Sequence, residues 1–247
     1  MSLILTAKVT LPVVSNLVLN IPVIKLVLPD LEPGNFTVLH GSRGVSYLAS
    51  VLCVRAQFPS QVGGLASQAV FIDGGNTFQL YQVTRLAQLY GLEPTRVLKQ
   101  IQIARAFTAY QLTSLIMDKL AEAVQATEAK LVVVSDIAGL FLDEAVADEE
   151  AQAIYRQVIN YLVEFTKQRR LIVVATCLPH IQTERGKALQ ALTLANAHVA
   201  GSIVSADHRR YFLLEKHPRY KLGSAEFNSA HPTLPEFFGV PTNGQNC

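Results

Sequence analysis

Tryptophan is absent from this chain of 247 residues, methionine occurs twice and cysteine three times. Cys53, Cys177 and Cys247 are odd in number and far apart. That excludes a small fold stapled by disulfides and offers no metal-type pair, so free thiols in a reducing compartment are expected. The six histidines stand at no ligand spacing from a cysteine or carboxylate, so no metal site is expected either. Charge is sparse. Only 16% of residues are charged and the formal net charge is +2, which predicts no strong general attraction to nucleic acid or an anionic membrane.

A long hydrophobic run is missing as well. The uncharged stretch 9–24 contains Pro12, Asn16, Asn20 and Pro22 and falls short of the ~20 apolar residues that a spanning helix needs. Lys8 precedes it, but Leu3, Ile4 and Leu5 come before Lys8 and no Ala-x-Ala site follows, unlike a secretory leader. The stretch reads as strands, or as part of an apolar arm (1–30) that packs on the core or on a neighbouring subunit. A cytoplasmic protein without a membrane partner is expected.

Half of the residues are hydrophobic, ample for a sheet covered on both faces. After Pro29 short apolar runs alternate with amphipathic stretches, which predicts an α/β fold: a mostly parallel twisted sheet with helices on both faces. Strands are expected at 36–39, 68–72, 101–104, 131–135 and 171–175, and helices at 45–58, 80–90, 108–124 and 148–168. In the last helix Ile154, Val158, Tyr161, Leu162 and Phe165 recur at three- and four-residue steps and predict one buried stripe. The runs 197–204 and 211–214 leave no room for a crossover helix between them, so a late antiparallel pair is expected. This divides the chain into the arm, a core at 31–222 and a tail at 223–247.

A strand, a glycine-containing turn, a helix and a later apolar strand ending in Asp136 form the layout of a P-loop nucleotide site. The segments Leu31-Glu32-Pro33-Gly34-Asn35-Phe36-Thr37, Phe71-Ile72-Asp73, Arg105-Ala106-Phe107 with Gln111, and 131–142 with its Leu140-Phe141 pair resemble the RecA/RadA recombinase core in order. The likeness runs from about Leu31 to Leu214. It implies a RecA-like fold and a setting of DNA recombination or repair.

The departures from that family carry equal weight. In register with the following helix the loop reads Leu39-His40-Gly41-Ser42-Arg43-Gly44-Val45-Ser46. A working P-loop begins with Gly and has Lys at its seventh place, since backbone N–H groups and the ammonium surround the phosphates. Leu39 and Val45 occupy those places. The family's water-activating Glu maps to Gly75, its adenine-stacking Arg to Gln82, and its polar sensor pair to Cys177-Leu178. The nucleotide-binding candidates that survive, as a vestigial or weak site, are Gly41, Ser42, Arg43, Gly44, Ser46 and Asp136. No catalytic residue is assigned and no cofactor is expected, with ATP and magnesium held weakly at most.

The first DNA-binding loop of recombinases should follow Phe141, but Asp143, Glu144, Asp148, Glu149 and Glu150 stand there and repel phosphate. The second should lie between Pro179 and Ala195, where Arg185 and Lys187 are the fixed positive charges. Arg209, Arg210, Arg219 and Lys221, interleaved with aromatics, are the better nucleic-acid candidates. Three functions follow: a non-hydrolysing accessory or regulatory protein acting by assembly, with itself or another protein; a DNA-stimulated ATPase built on Arg43, Ser46 and Asp136; or a nucleic-acid module using the late basic strands.

Overall fold

The computed structural model describes residues 15–180 and 183–227; Lys8, Cys247, the start of the arm and most of the expected tail lie outside the described residues. The chain enters along the sheet's flank. Leu17 bridges Leu31, and the single turn α1 (Pro22–Lys25) opens on a proline, whose missing N–H is no loss at that position. Leu17, Leu19, Ile21, Ile24 and Leu28 are buried in the same apolar cluster as the first long helix. The described part of the arm therefore packs on its own core.

The remaining elements follow as β1 (Phe36–Gly41), α2 (Gly44–Arg55), β2 (Ala69–Asp73), α3 (Leu80–Leu89), α4 (Pro94–Lys99), β3 (Ile101–Arg105) and α5 (Ala109–Ser114). A π-helical turn at Leu115–Lys119 joins α5 to α6 (Leu120–Thr127). After it come β4 (Leu131–Ser135), α7 (Asp148–Arg169), β5 (Ile172–Cys177), α8 (Glu184–Asn196), β6 (Val199–Ala206), β7 (Arg209–Lys216) and β8 (Gly223–Phe227).

The described residues form an eight-stranded sheet in the order β3-β2-β4-β5-β1-β6-β7-β8. The first six strands are parallel and the last two antiparallel. The central strands β4 and β5 are buried along their whole length, as expected where helices cover both faces. One apolar cluster gathers α1, α2 and α3 on one face, and a second gathers α5, α6, α7 and α8 on the other. This is the mostly parallel, helix-covered sheet that the sequence pattern predicts.

Some details differ from expectation. The late pair is antiparallel as predicted, but its first strand, β6, also runs parallel beside β1. A third late strand, β8, lies past residue 222; only Ala225 and Phe227 turn inward there, too little apolar signal to mark a strand. Residues 184–196 form a helix where a basic loop was expected. Thr183 caps it through a bond from the Gly186 N–H. In α7, Ile154 and Tyr161 flank the stripe, while Tyr155, Ile159 and Thr166 join Val158, Leu162 and Phe165 inside. The stripe is wider than a strict three-four spacing because β1, β5, α5 and α8 all pack against this helix.

Candidate functional site

Because β1, β2, β4 and β5 are parallel, Gly41, Asp73, Asp136 and Cys177 all arrive at one edge of the sheet. That edge is where open α/β sheets bind ligands. The nucleotide-loop candidates are thus brought to the same edge as Asp136.

The loop itself is short. Only Ser42 and Arg43 separate β1 from α2. Gly41 has φ +99°, and a Cβ there would stand 2.4 Å from the Ile203 carbonyl oxygen of β6, so glycine is required by both conformation and contact. The Ser42 N–H donates to Ile203 O at 2.9 Å. Gly44 N–H donates to Ser42 Oγ at 3.3 Å, Val45 N–H to Ser42 O at 3.1 Å and Ser46 N–H to Arg43 O at 3.2 Å. These are the amides that a phosphate cradle needs, and each is engaged within the protein. Val45 is fully buried in the apolar core. Arg43 is exposed at the start of α2, where a cation faces the positive end of the helix dipole.

A polar network closes the same region. His40 Nε2 lies 2.6 Å from Glu215 Oε2, and Gln190 Nε2 lies 3.1 Å from His40 Nδ1. The amide donates, so the imidazole carries its proton on Nε2 and gives it to the carboxylate. Ser202 Oγ donates to the other Glu215 oxygen at 2.5 Å. The carboxylate sits between hydroxyl and imidazole, the wrong order for a nucleophile activated by a histidine base.

Asp73 is fully buried. Its Oδ1 accepts from Thr77 N at 2.8 Å and Ser135 Oγ at 3.2 Å, while Oδ2 accepts from Phe78 N and Arg105. Asp136, in left-handed conformation at φ +50°, receives Leu178 N–H at Oδ1 and lies 2.7 Å from His180 Nε2 at Oδ2. Its own N–H donates to Thr176 Oγ1 at 2.9 Å. Both carboxylates thus serve as strand-end anchors. Cys177, beside Asp136, is buried, and burial with the neighbouring carboxylate pushes its thiol up to about 12. It is an inert thiol at neutral pH.

The basic candidates divide. Arg209 and Arg210 lie at the start of β7 and Arg219 and Lys221 beyond its end, separated by the length of an eight-residue strand, roughly 24 Å. Arg209 pairs with Glu226 at 3.3 Å, and Arg219 pairs with Glu32 and donates to the Tyr220 hydroxyl at 3.4 Å. They do not form one patch. Arg185, expected in a DNA-binding loop, instead clamps the acidic stretch. Its guanidinium donates to Asp143 O, Val146 O and Ala147 O and meets Asp148 at 3.2 Å. Lys187 pairs with Glu184 at 2.6 Å.

Sequence reasoning missed His180, Gln190 and Glu215. His180 lies 44 residues from Asp136, and Gln190 and Glu215 lie 150 and 175 residues from His40, and isolated polar residues carry no local signal.

The comparisons with known proteins agree with this geometry. The Rad51 family model matches residues 25–221. Similar proteins include the DNA repair and recombination protein RadA of Aeropyrum pernix, 32% identical over 132 residues, which cover 53% of this chain and 41% of that protein. The DNA repair protein RAD51 homolog of Solanum lycopersicum is 26% identical over 185 residues, 74% of this chain and 50% of the relative. The DNA repair protein RAD51 of Saccharomyces cerevisiae is 32% identical over 113 residues, 44% and 28% of the two chains. The chain spans half or less of the length of these relatives. With a family match over most of its length and a parallel sheet whose nucleotide-loop and aspartate-bearing strands end on one edge, this chain belongs to the Rad51 family and has a RecA/RadA-type recombinase core.

Proposed function

We propose that the chain is an accessory or regulatory member of its family, acting in DNA recombination and repair by assembly rather than by hydrolysing ATP. The observation that carries this reading is the two-residue turn between β1 and α2, whose amides at 42, 44, 45 and 46 are already bonded to protein acceptors. Phosphate binding would have to break those bonds without the lysine that normally repays the loss. The Glu215 carboxylate beside His40 adds a negative charge close to the same turn. The names of the relatives supply the repair setting.

Assembly is supported by the side of β3 that no strand pairs among the described residues. It is an edge strand, with Ile103 41% and the following Phe107 71% exposed. An unpaired edge with apolar side chains is a template for a strand from another chain. Such contacts do not require a working nucleotide site.

The test combines two measurements on the full chain. Calorimetric titration with ATP and magnesium should show no saturable binding, and phosphate release should stay at background with or without single-stranded DNA. Sedimentation velocity should show concentration-dependent association that Phe107→Asp weakens. ATP turnover that disappears in Asp136→Ala would overturn the non-hydrolysing reading.

A further inference from the structure

Charge is divided unevenly between the two edges of the sheet. At the edge where β5, β1 and β6 begin, the chain also brings the ends of α7 and α8 and the β7–β8 connection. The Gly34 N–H donates to Leu171 O at 2.7 Å, and Phe36 N–H donates to His198 Nδ1 at 2.9 Å. Lys167, Arg169 and Arg170 leave the end of α7, and Lys216, Arg219 and Lys221 leave the end of β7. All six are exposed. The two groups are close to each other. His198 between them has its pKa lowered by desolvation first and then by Lys216 and Lys167.

The acids nearby are fewer than these six cations, and of them, among the described residues, Glu32 alone is paired with a cation of the strip. Asp30 accepts from Tyr220 OH at 2.8 Å and from Asn16 at 3.0 Å, and Glu32 holds Arg219. Glu164, one turn back on α7, accepts from Gln168. Lys216 also donates to Ala195 O at 3.0 Å at the end of α8, a neutral acceptor that leaves its charge uncancelled. The opposite edge holds Asp143, Glu144, Glu149 and Glu150, with Arg185 and Arg209 bound to acids there.

Strands β5, β1, β6, β7 and β8 are neighbours, so at ordinary strand spacing the basic strip extends roughly 19 Å. That is long enough to follow several phosphates of one strand. Beside it the His217 and Tyr220 rings stack on each other at 4.2 Å and Arg219 lies 5.5 Å over the Tyr220 ring, which fixes the connection that carries Arg219 and Lys221. No helix projects from this edge to enter a duplex groove among the described residues, so the chemistry fits a single strand.

We infer that this strip binds the phosphate backbone of single-stranded nucleic acid, on the edge of the sheet opposite the nucleotide loop. The inference rests on the proposed place of the chain in DNA recombination, but on neither its assembly nor its lack of hydrolysis.

The experiment is fluorescence anisotropy of the full chain with a labelled thymidine 30-mer across a salt series. Wild type should bind at low salt. Arg169→Gln with Arg170→Asn and Lys221→Gln should weaken binding about tenfold or more and reduce the salt slope by about 2, since three phosphate neutralisations are lost. Arg209→Gln with Arg210→Gln should leave it unchanged. Lys221→Gln alone, in a connection outside helix and strand, should weaken binding about twofold or more and keeps the test sound if the triple variant unfolds.

Equal affinity of the triple variant and wild type would overturn the inference, as would loss of binding in the Arg209 and Arg210 variant. Binding to phosphatidylserine vesicles without binding to the oligonucleotide would also overturn it. An absent oligonucleotide signal at low salt, with association still seen in sedimentation, would sink this inference and leave assembly standing.

Discussion

A Cβ placed on Gly75 would stand 2.5 Å from the Cβ of Asp136 and 2.9 Å from its Oδ2. The position where relatives of the RecA/RadA type hold their water-activating glutamate has no room for any side chain while Asp136 keeps its place. Asp136 is fixed by Leu178 and His180 and is also crowded by Gly139, where a Cβ would meet Oδ2 at 2.3 Å. Gly75→Glu should therefore destabilise the fold by about 1–3 kcal/mol and create no ATP turnover. A urea titration gives the stability change, and a phosphate-release assay checks the second half.

Val45→Lys should not restore a phosphate site. From the sequence alone a lysine at this place would be expected to improve ATP binding, but Val45 is fully buried in the apolar cluster that holds Leu39, Leu48 and Ile203. An ammonium there loses its hydration and gains no carboxylate. The expected outcome is a loss of about 3 kcal/mol or more in stability, read by chemical denaturation, with no gain in calorimetric ATP binding.

Arg55 should hold the entering segment in place. It is almost wholly buried, donates to Val18 O at 3.1 Å and Val62 O at 2.5 Å, and lies over the Phe58 ring at 4.6 Å. Arg55→Ala strands two acceptors and a cavity, an expected cost of about 3 kcal/mol. Hydrogen exchange should show the Leu17 and Leu31 amides, which bond to each other's carbonyls, losing protection before those of β4. Equal loss everywhere would mean that Arg55 is a general core residue rather than a local clamp.

Stability should fall as the solution is acidified below neutral. His198 and His217 both have pKa values lowered first by desolvation. Both accept backbone N–H bonds through Nδ1, His198 from Phe36 and His217 from Arg219 and Tyr220. Acceptance requires the neutral ring. The unfolded chain takes up protons at these histidines near pH 6.5 while the folded chain resists, so stability is present above that pH and is lost as pH falls toward the folded pKa values. His198→Asn keeps an acceptor and should flatten part of the decline between pH 7 and 5.5, measured as the change in thermal midpoint.

Residues 131–135 were legible as β4 to the residue, because a continuous apolar run between polar turns has one reading in an α/β pattern. The fates of positions 45 and 75 were legible too, since valine and glycine cannot supply an ammonium or a base. Helix α8 was not: its buried positions are Gly186, Leu189 and Thr193, of which only one is strongly apolar. Nor could the closure of the nucleotide turn be read, because Ser42 bonds to Ile203 across 161 residues of chain. The acidic stretch was legible as a charge run, but its clamp by Arg185 depends on where α8 begins.

The π-helical turn at Leu115–Lys119 has a consequence for the face of the helix pair around it. Leu112, Ile116, Leu120 and Val124 are all buried and lie four residues apart. On an unbroken α-helix each four-residue step overshoots a full turn by about 40°, so three steps would carry Val124 about 120° away from Leu112. The wider π turn advances less per residue and winds most of that drift back. It acts as a phase correction that keeps a period-four sequence meshed with the sheet. Deleting one residue from 115–119 would therefore let an unbroken α-helix carry Leu120 and Val124 to the sheet in nearly the same orientation, because one residue fewer at about 100° removes the same rotation that the π turn winds back.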